Sequence, residues 1–201
     1  MGRLLVATNN KGKLREMFAL LEDTQLEVVT PRGAGIHLEV AENGNTYAEN
    51  ASLKARAFAH ASGMVTLADD SGLEVDALGG LPGIRSARFS PLPHATDADR
   101  RAHLLSLLKD HPRPWTAHFH CTVAIATPEG DIYFAHGDCP GVVIPQERGT
   151  NGFGYDPIFL VDAMGLTMAE LSMEEKNHLS HRARAVNAAI PILLDIFSSS
   201  K

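Results

Sequence analysis

Asp69 and Asp70 stand side by side at the end of an apolar stretch, followed by Ser71 and Gly72. Taking even one carboxylate out of water at a strand end is costly, so two adjacent ones need a reason. The pleat of a strand sends neighbouring side chains to opposite faces. It sets Asp70 beside Thr66 and Ala68, and Asp69 beside Val65 and Leu67. The two acids therefore have different tasks. A carboxylate at such a point could hold a divalent cation, orient a water or take its proton. Taken alone, either acid more readily caps the backbone of a turn at Ser71 and Gly72.

A second candidate is the polar, basic run Thr8, Asn9, Asn10, Lys11, Gly12 and Lys13. It reads as a loop between a strand and a helix, where unpaired N–H groups and the positive helix end suit a phosphate. Neither the GxxxxGK[ST] nor the GxGxxG spacing is present. Taken alone, the run is as readily a solvated turn as an anion site. Lys54 adds a further cation. Phe153, Gly154, Tyr155 and Asp156 follow Gly152, and such aromatics between glycines could form a platform for a flat heterocycle with an acceptor beside it. The same residues also fit a core strand with glycine bulges. Lys176, and His181 next to Arg182, offer donors near a helix, although isolated residues of these types are commonly solvated. His118 and His120 share one face of a strand. They fit an ordinary strand face better than a metal site, because no third ligand stands at a suitable spacing.

The elements that must position these residues follow from pattern. A strand is expected over 3–8, a loop over 9–13, and a helix through Leu14, Met17, Phe18, Leu20 and Leu21. A short strand is expected over 26–30, then a helix opened by the capping box Thr46 and Glu49 and closed by Gly63. The strand ending in the two acids comes next. Thr96 caps a further helix containing Leu104 and Leu108. A hairpin surrounds the turn at 128–131, with Phe119, Cys121, Val123 and Ile125 on one face of its first strand. Ser172 and Glu175 form another capping box before a C-terminal helical region, in which Pro191 marks a kink or break. Helices interleaved with strands, followed by a hairpin, give an α/β fold with a mixed sheet.

Composition narrows the function classes. A chain of 201 residues with 44% hydrophobic content supports one sizeable core, or a core with a smaller attached lobe, and a single domain over 1–201 is expected. The net charge of −6 disfavours a nucleic acid polymer as partner, since polyanion binding rests on many Lys and Arg contacts. The opening apolar run is too short for a signal peptide and no segment reaches bilayer length, so a cytoplasmic protein with no membrane contact is expected. Cys121 and Cys139 are then reduced, packed thiols.

The motifs ATNNKGK (7–13), ENASLKA (49–55), ADDSGLEVDALGGLPGIRSARFS (68–90), FHC (119–121), GFGYDPIF (152–159) and LSMEEKNHLSHR (171–182) resemble, in order, those of the Ham1/RdgB-type inosine triphosphate pyrophosphatases. These are hydrolases that convert altered purine nucleotides such as ITP, dITP and XTP to the monophosphate and pyrophosphate. The resemblance implies an elongated α/β fold with a long mixed sheet and a cleft between two lobes, a homodimer, and dependence on Mg²⁺. It implies that residues 8–13 are a triphosphate loop and that Lys54 contacts phosphate. It makes Asp70 the proton acceptor and a metal-associated acid, with Ser71 beside it in the substrate site. Residues 153–156 become the base-holding segment, with Lys176, His181 and Arg182 completing the base pocket. Many relatives carry a metal-associated Glu three residues before the glycine that is Gly44 here. This chain has Ala41 there, with Glu42 and Glu39 as the nearby acids. On that departure, a nucleotide sensor without turnover is a second reading, and a Mg²⁺-dependent phosphatase releasing orthophosphate a third.

Overall fold

The first apolar residues of the chain set the centre of the molecule. Leu4, Leu5 and Val6 are all but inaccessible to solvent, as expected of a strand covered on both faces. In the computed structural model, which describes residues 2–199, they form β1 (Arg3–Val6). Then come α1 (Lys11–Leu21), β2 (Glu27–Val29), α2 (Tyr47–Ser62), β3 (Val65–Val75), α3 (Asp97–Leu108), β4 (Trp115–Ala126), β5 (Ile132–Val143), β6 (Phe159–Val161), α4 (Met173–Leu179) and α5 (His181–Ser199).

One six-stranded sheet has the order β2-β1-β3-β4-β5-β6. β1 runs parallel to β2 and to β3, while β6 is antiparallel to β5. The β4–β5 connection is a tight turn in which Thr127 N–H donates to the Asp131 carbonyl at 3.0 Å. A connection that short joins only antiparallel neighbours. The expected mixed α/β sheet is therefore present.

Local signals account for most helix starts. Thr96 and Asp99 cap α3 reciprocally, and Ser172 and Glu175 do the same for α4. Gly63 closes α2 at φ 64°, a left-handed conformation that glycine adopts without the Cβ penalty. At the start of α2, Thr46 accepts from Glu49 N–H at 3.1 Å, but the Glu49 carboxylate turns to Asn45 N–H at 2.6 Å instead of closing the box.

Three expectations need correction. α1 begins at Lys11, so three of the five residues of the presumed 9–13 loop are helix. The reason is Asn10, whose side chain caps the first turn. β3 does not stop at the acids but runs on to Val75, so Asp69 and Asp70 lie inside a strand. α5 runs on past Pro191, so of the kink or break expected there the break is absent.

The chain forms two compact units, each assembled from separated stretches. The first comprises, of the described residues, 2–70, 121–137 and 181–199. Its sheet is covered on one side by α1 and α5, through Met17, Leu21, Ala185, Val186 and Leu193 packed with Leu67 and Cys121. On the other side lies α2, through Ala51, Ala55, Phe58 and Ala59 packed with Ala68 and Ala124. Gly137 on β5 allows α5 to approach the sheet, since a Cβ there would stand 2.5 Å from Ala185 N. The second unit comprises residues 71–120 and 138–180. Its core gathers Leu73, Leu104, Leu108, Trp115, Tyr155, Ile158, Phe159 and Met168.

Candidate active site

The pleat of β3 decides what each acid touches. Asp69 points toward α1 and α5, the side of Leu67, and its side chain is fully buried. Its Oδ2 meets Lys13 Nζ at 2.9 Å and Arg182 Nε at 3.1 Å. Arg182 is also paired, through Nη1, with the buried Glu16 of α1. Burial alone would raise the Asp69 carboxyl, but Lys13, Arg182 and Lys54 outweigh it and hold the group well below the usual carboxylate range. Burial likewise opposes the charge of Arg182, but Asp69 and Glu16 more than compensate, so it stays a cation. Beneath this cluster lies Cys121, its Sγ 3.9 Å from Asp69 Oδ2. Burial, together with the Asp69 charge, pushes its thiol up to about 12.

Asp70 points the other way, to α2, on the side of Ala68. Its Oδ2 accepts from Asn50 Nδ2 at 3.0 Å, while Asn50 Oδ1 accepts from Gly44 N–H at 2.9 Å. Asn50 is fully buried and therefore ties the segment around Gly44 to the acid. Gly44 has no room for a side chain, because a Cβ would lie 2.7 Å from the Glu49 Cβ. Burial pushes the Asp70 carboxyl up. Lys54, the Asn50 hydrogen bond and Lys13 only partly offset this, and Glu42 adds to the rise. Lys54 Nζ donates to the Asp69 carbonyl at 2.5 Å and pairs with Glu42 at 3.0 Å. Of the two acids near Ala41, Glu42 is thus the one that reaches this cluster.

The strand-to-helix turn is partly self-satisfied. Asn10 Oδ1 accepts from Gly12 N–H at 2.8 Å and Lys13 N–H at 3.2 Å, and Asn10 N–H donates to Thr8 Oγ1 at 3.2 Å. Asn9, Asn10 and Lys11 are exposed, and Lys13 reaches inward to Asp69. Asn10→Ala should lower stability by about 1 kcal/mol, as loss of an N-cap does. Urea unfolding measures this, and an unchanged midpoint would show that the cap does not hold the turn.

In the second unit, residues 151–155 form a turn and Asp156–Ile158 a short 3₁₀ segment, neither a strand nor a two-ring platform. Tyr155 belongs to the core, its hydroxyl donating to the Ser86 carbonyl at 2.9 Å. Phe153 is only half-buried. Asp156 Oδ2 accepts from Phe153 N–H at 2.9 Å and from Lys176 Nζ at 2.7 Å, and Lys176 Nζ stands 5.1 Å from the centre of the Phe153 ring. Ser71, the next residue of β3 after Asp70, is half-buried. His181 opens α5 and is buried, as is Arg182. His118 and His120 each pair with an acid, Glu74 at 3.3 Å and Asp138 at 2.6 Å. Among the described residues no group of three or more His, Cys, Asp or Glu is arranged to hold a metal.

Sequence reasoning missed Asn50, Glu16 and the pairing role of Asp69. Each left a faint signal. Glu16 adjoins Met17 on the buried face of a helix, and Asn50 adjoins Ala51 on the buried face of another, positions where a polar side chain must find a partner.

These features define a mixed α/β protein with a buried carboxylate pair, one acid neutralised by cations from α1 and α5 and the other held by α2. The chain belongs to the Ham1 family, whose sequence model matches residues 4–192. The dITP/XTP pyrophosphatase of Desulforamulus reducens is 49% identical over 192 residues, 95% of either chain. The dITP/XTP pyrophosphatase of Geobacter sulfurreducens is 48% identical over 187 residues, 92% of this chain and 94% of that relative. Among solved structures, the HAM1 protein of Coxiella burnetii superposes with a TM-score of 0.87 at 37% identity, covering 97% of this chain and 100% of that one. The resemblance read from the motifs is confirmed, and so is the expected α/β fold with a mixed sheet.

Proposed function

We propose that this protein hydrolyses dITP, XTP and ITP to the corresponding monophosphate and pyrophosphate, removing altered purines from the nucleotide pool. Relatives named dITP/XTP pyrophosphatase over nearly the whole chain support the reading. The observation that carries the mechanism is the 2.9 Å contact between Lys13 and Asp69, which joins the basic turn to the acidic strand.

A triphosphate carries several negative charges, and attack of water on the phosphorus nearest the sugar needs those charges screened and the water aligned. Lys11, Lys13 and Lys54 supply screening, with Thr8, Asn9 and Asn10 adding donors. Asp70 takes the proton of the attacking water. Its burial and its raised proton affinity suit that task, whereas Asp69 is held ionised by three cations and serves to place Lys13. The leaving pyrophosphate departs toward Lys11 and Lys13.

Asp70 and Glu42 fit Mg²⁺, because Glu42 lies near enough for its charge to raise the Asp70 carboxyl and Lys54, which pairs with Glu42 at 3.0 Å, only partly offsets the burial. Mg²⁺ characteristically binds one or two carboxylates and keeps waters and substrate oxygens for the rest. When bound it would neutralise phosphate charge. The donor-only side chain of Lys176 favours a 6-oxo purine over the 6-amino group of adenine, and Phe153 offers a ring face. Ser71, Gly154, Asp156 and His181 complete the assignment, with Tyr155 supporting the turn from the core. A homodimer working in the cytoplasm belongs to the same reading. No described helix is long and apolar enough to cross a membrane.

Product identification tests the proposal. The purified protein with Mg²⁺ should release pyrophosphate and monophosphate from dITP, ITP and XTP, with little turnover of ATP or GTP. Orthophosphate would indicate a phosphatase, and saturable binding without product a sensor.

A further inference from the structure

The turn carrying Phe153 is gripped by a helix. Gly154 N–H donates to Asp97 Oδ2 at 2.8 Å, and the Gly154 carbonyl accepts from Arg101 Nη1 at 2.8 Å. Both polar groups of one peptide residue are therefore committed to α3. Asp97 and Arg101 are four positions apart, which puts them on the same helix face. Neither is loose. Arg101 makes a two-pronged pair with Glu147, at 2.8 and 2.9 Å, and Asp97 Oδ1 receives Arg100 Nη2 at 2.5 Å. The Thr96 and Asp99 capping box fixes the start of the helix itself.

Such a grip has a reason. Gly154 sits at φ +62° with open space where a Cβ would stand, so the choice of glycine answers to backbone conformation and not to crowding. A glycine has wide conformational freedom, and it holds one shape only when outside partners impose it. The other side of Phe153 is fixed by its N–H bond to Asp156, which Lys176 in turn holds. The aromatic residue thus lies between two anchors, one from α3 and one from α4. Arg101 carries the larger share, because a planar fork that binds Glu147 and a carbonyl at once has little freedom left.

We propose that Asp97 and Arg101 are positioning residues for base selection, fixing the Phe153 turn so that its ring and the Asp156–Lys176 pair meet a 6-oxopurine in one orientation. This rests on the activity proposed above. The ligand class is a purine with an acceptor at position 6, and the clamp acts on where that base sits, not on the phosphate chemistry.

Arg101→Ala and Arg101→Lys test it, with two readouts. In Arg101→Ala, hydrogen exchange at the Gly154 amide should quicken about tenfold or more. KM for dITP should rise about tenfold with kcat changed far less, because misplacement weakens binding before it touches the attacked phosphorus. Arg101→Lys keeps the charge but loses the fork, and should fall between wild type and Ala; it also serves if the Ala variant folds poorly. Unchanged exchange in both variants overturns the proposal, as does quickened exchange with an unchanged KM. If the wild-type protein makes no pyrophosphate from dITP, the proposed activity fails instead. The clamp is then decided by exchange, together with the affinity of Arg101→Ala and wild type for dIMP.

Discussion

Asp70→Asn lowers turnover of dITP by about 10²–10⁴-fold, the span expected when a general base is removed, while the folded protein becomes more stable at neutral pH. The two effects have one cause. Asp70 is buried against α2, and burial raises its proton affinity more than Lys54, Asn50 and Lys13 lower it. An acid whose folded-state pKa lies above its ordinary 3.8 costs stability once it ionises. Below pH 3.8 the folded and unfolded forms are both protonated and no penalty exists. The penalty grows as pH rises through 3.8 to the folded value, and is complete above it. Asparagine carries no charge to bury and keeps an oxygen for Asn50 Nδ2. Thermal unfolding in EDTA should therefore show a higher Tm for Asp70→Asn at pH 7, with the gap closing toward pH 3. A Tm below wild type at pH 7 would mean that the charge is stabilised in place, and Asp70 would lose its case as the proton acceptor.

Asp69→Asn gives the opposite result. Its carboxylate lies between Lys13 and Arg182 with no solvent exposure. Removing one partner from a buried ion pair costs about 3–5 kcal/mol, because the remaining charge is stranded. Arg182 keeps Glu16, which places the loss near the lower end, about 3 kcal/mol, or a Tm lower by roughly 6–12 °C. Asp69 is held below its ordinary 3.8. Its contribution is complete above that pH and fades as pH falls through the lower, folded value. The difference between Asp69→Asn and wild type should thus be largest at neutral pH and shrink in acid. A loss below about 1 kcal/mol at pH 7, within the range of exposed pairs, would show that Lys13 and Arg182 do not depend on Asp69. The two neighbouring acids are told apart by the sign of the stability change alone.

That distinction was legible in part from the chain itself. Alternation along β3 already separates Asp69 from Asp70, because pleating is a local property. Capping signals at Thr96 and Ser172 are local as well, and both helices start where those residues say. The start of α1 was misplaced because Asn10 can end a loop or cap a helix, and only its bonds to Gly12 and Lys13 decide between them. The strand end was misplaced because Asp, Ser and Gly read as a turn, whereas Ser86 Oγ receives Leu73 N–H at 2.9 Å and β3 continues. What no local pattern could supply is the partner of each charge. Arg182 meets Asp69 across 113 positions and Glu16 across 166, and Arg101 reaches Gly154 across 53. Arg182 read alone is a donor fork for a base; in the folded chain its Nε and Nη1 hold Asp69 and Glu16. Tyr155 read alone is half of an aromatic platform, yet its ring fills the core and Phe153 is left as the accessible one.

The position of attack decides the mechanism most directly. With dITP hydrolysed in water enriched in ¹⁸O, water activated beside Asp70 should place the label in dIMP and leave pyrophosphate unlabelled. Label in pyrophosphate, or in released orthophosphate, would put the attack on a different phosphorus and contradict the role given to Asp70.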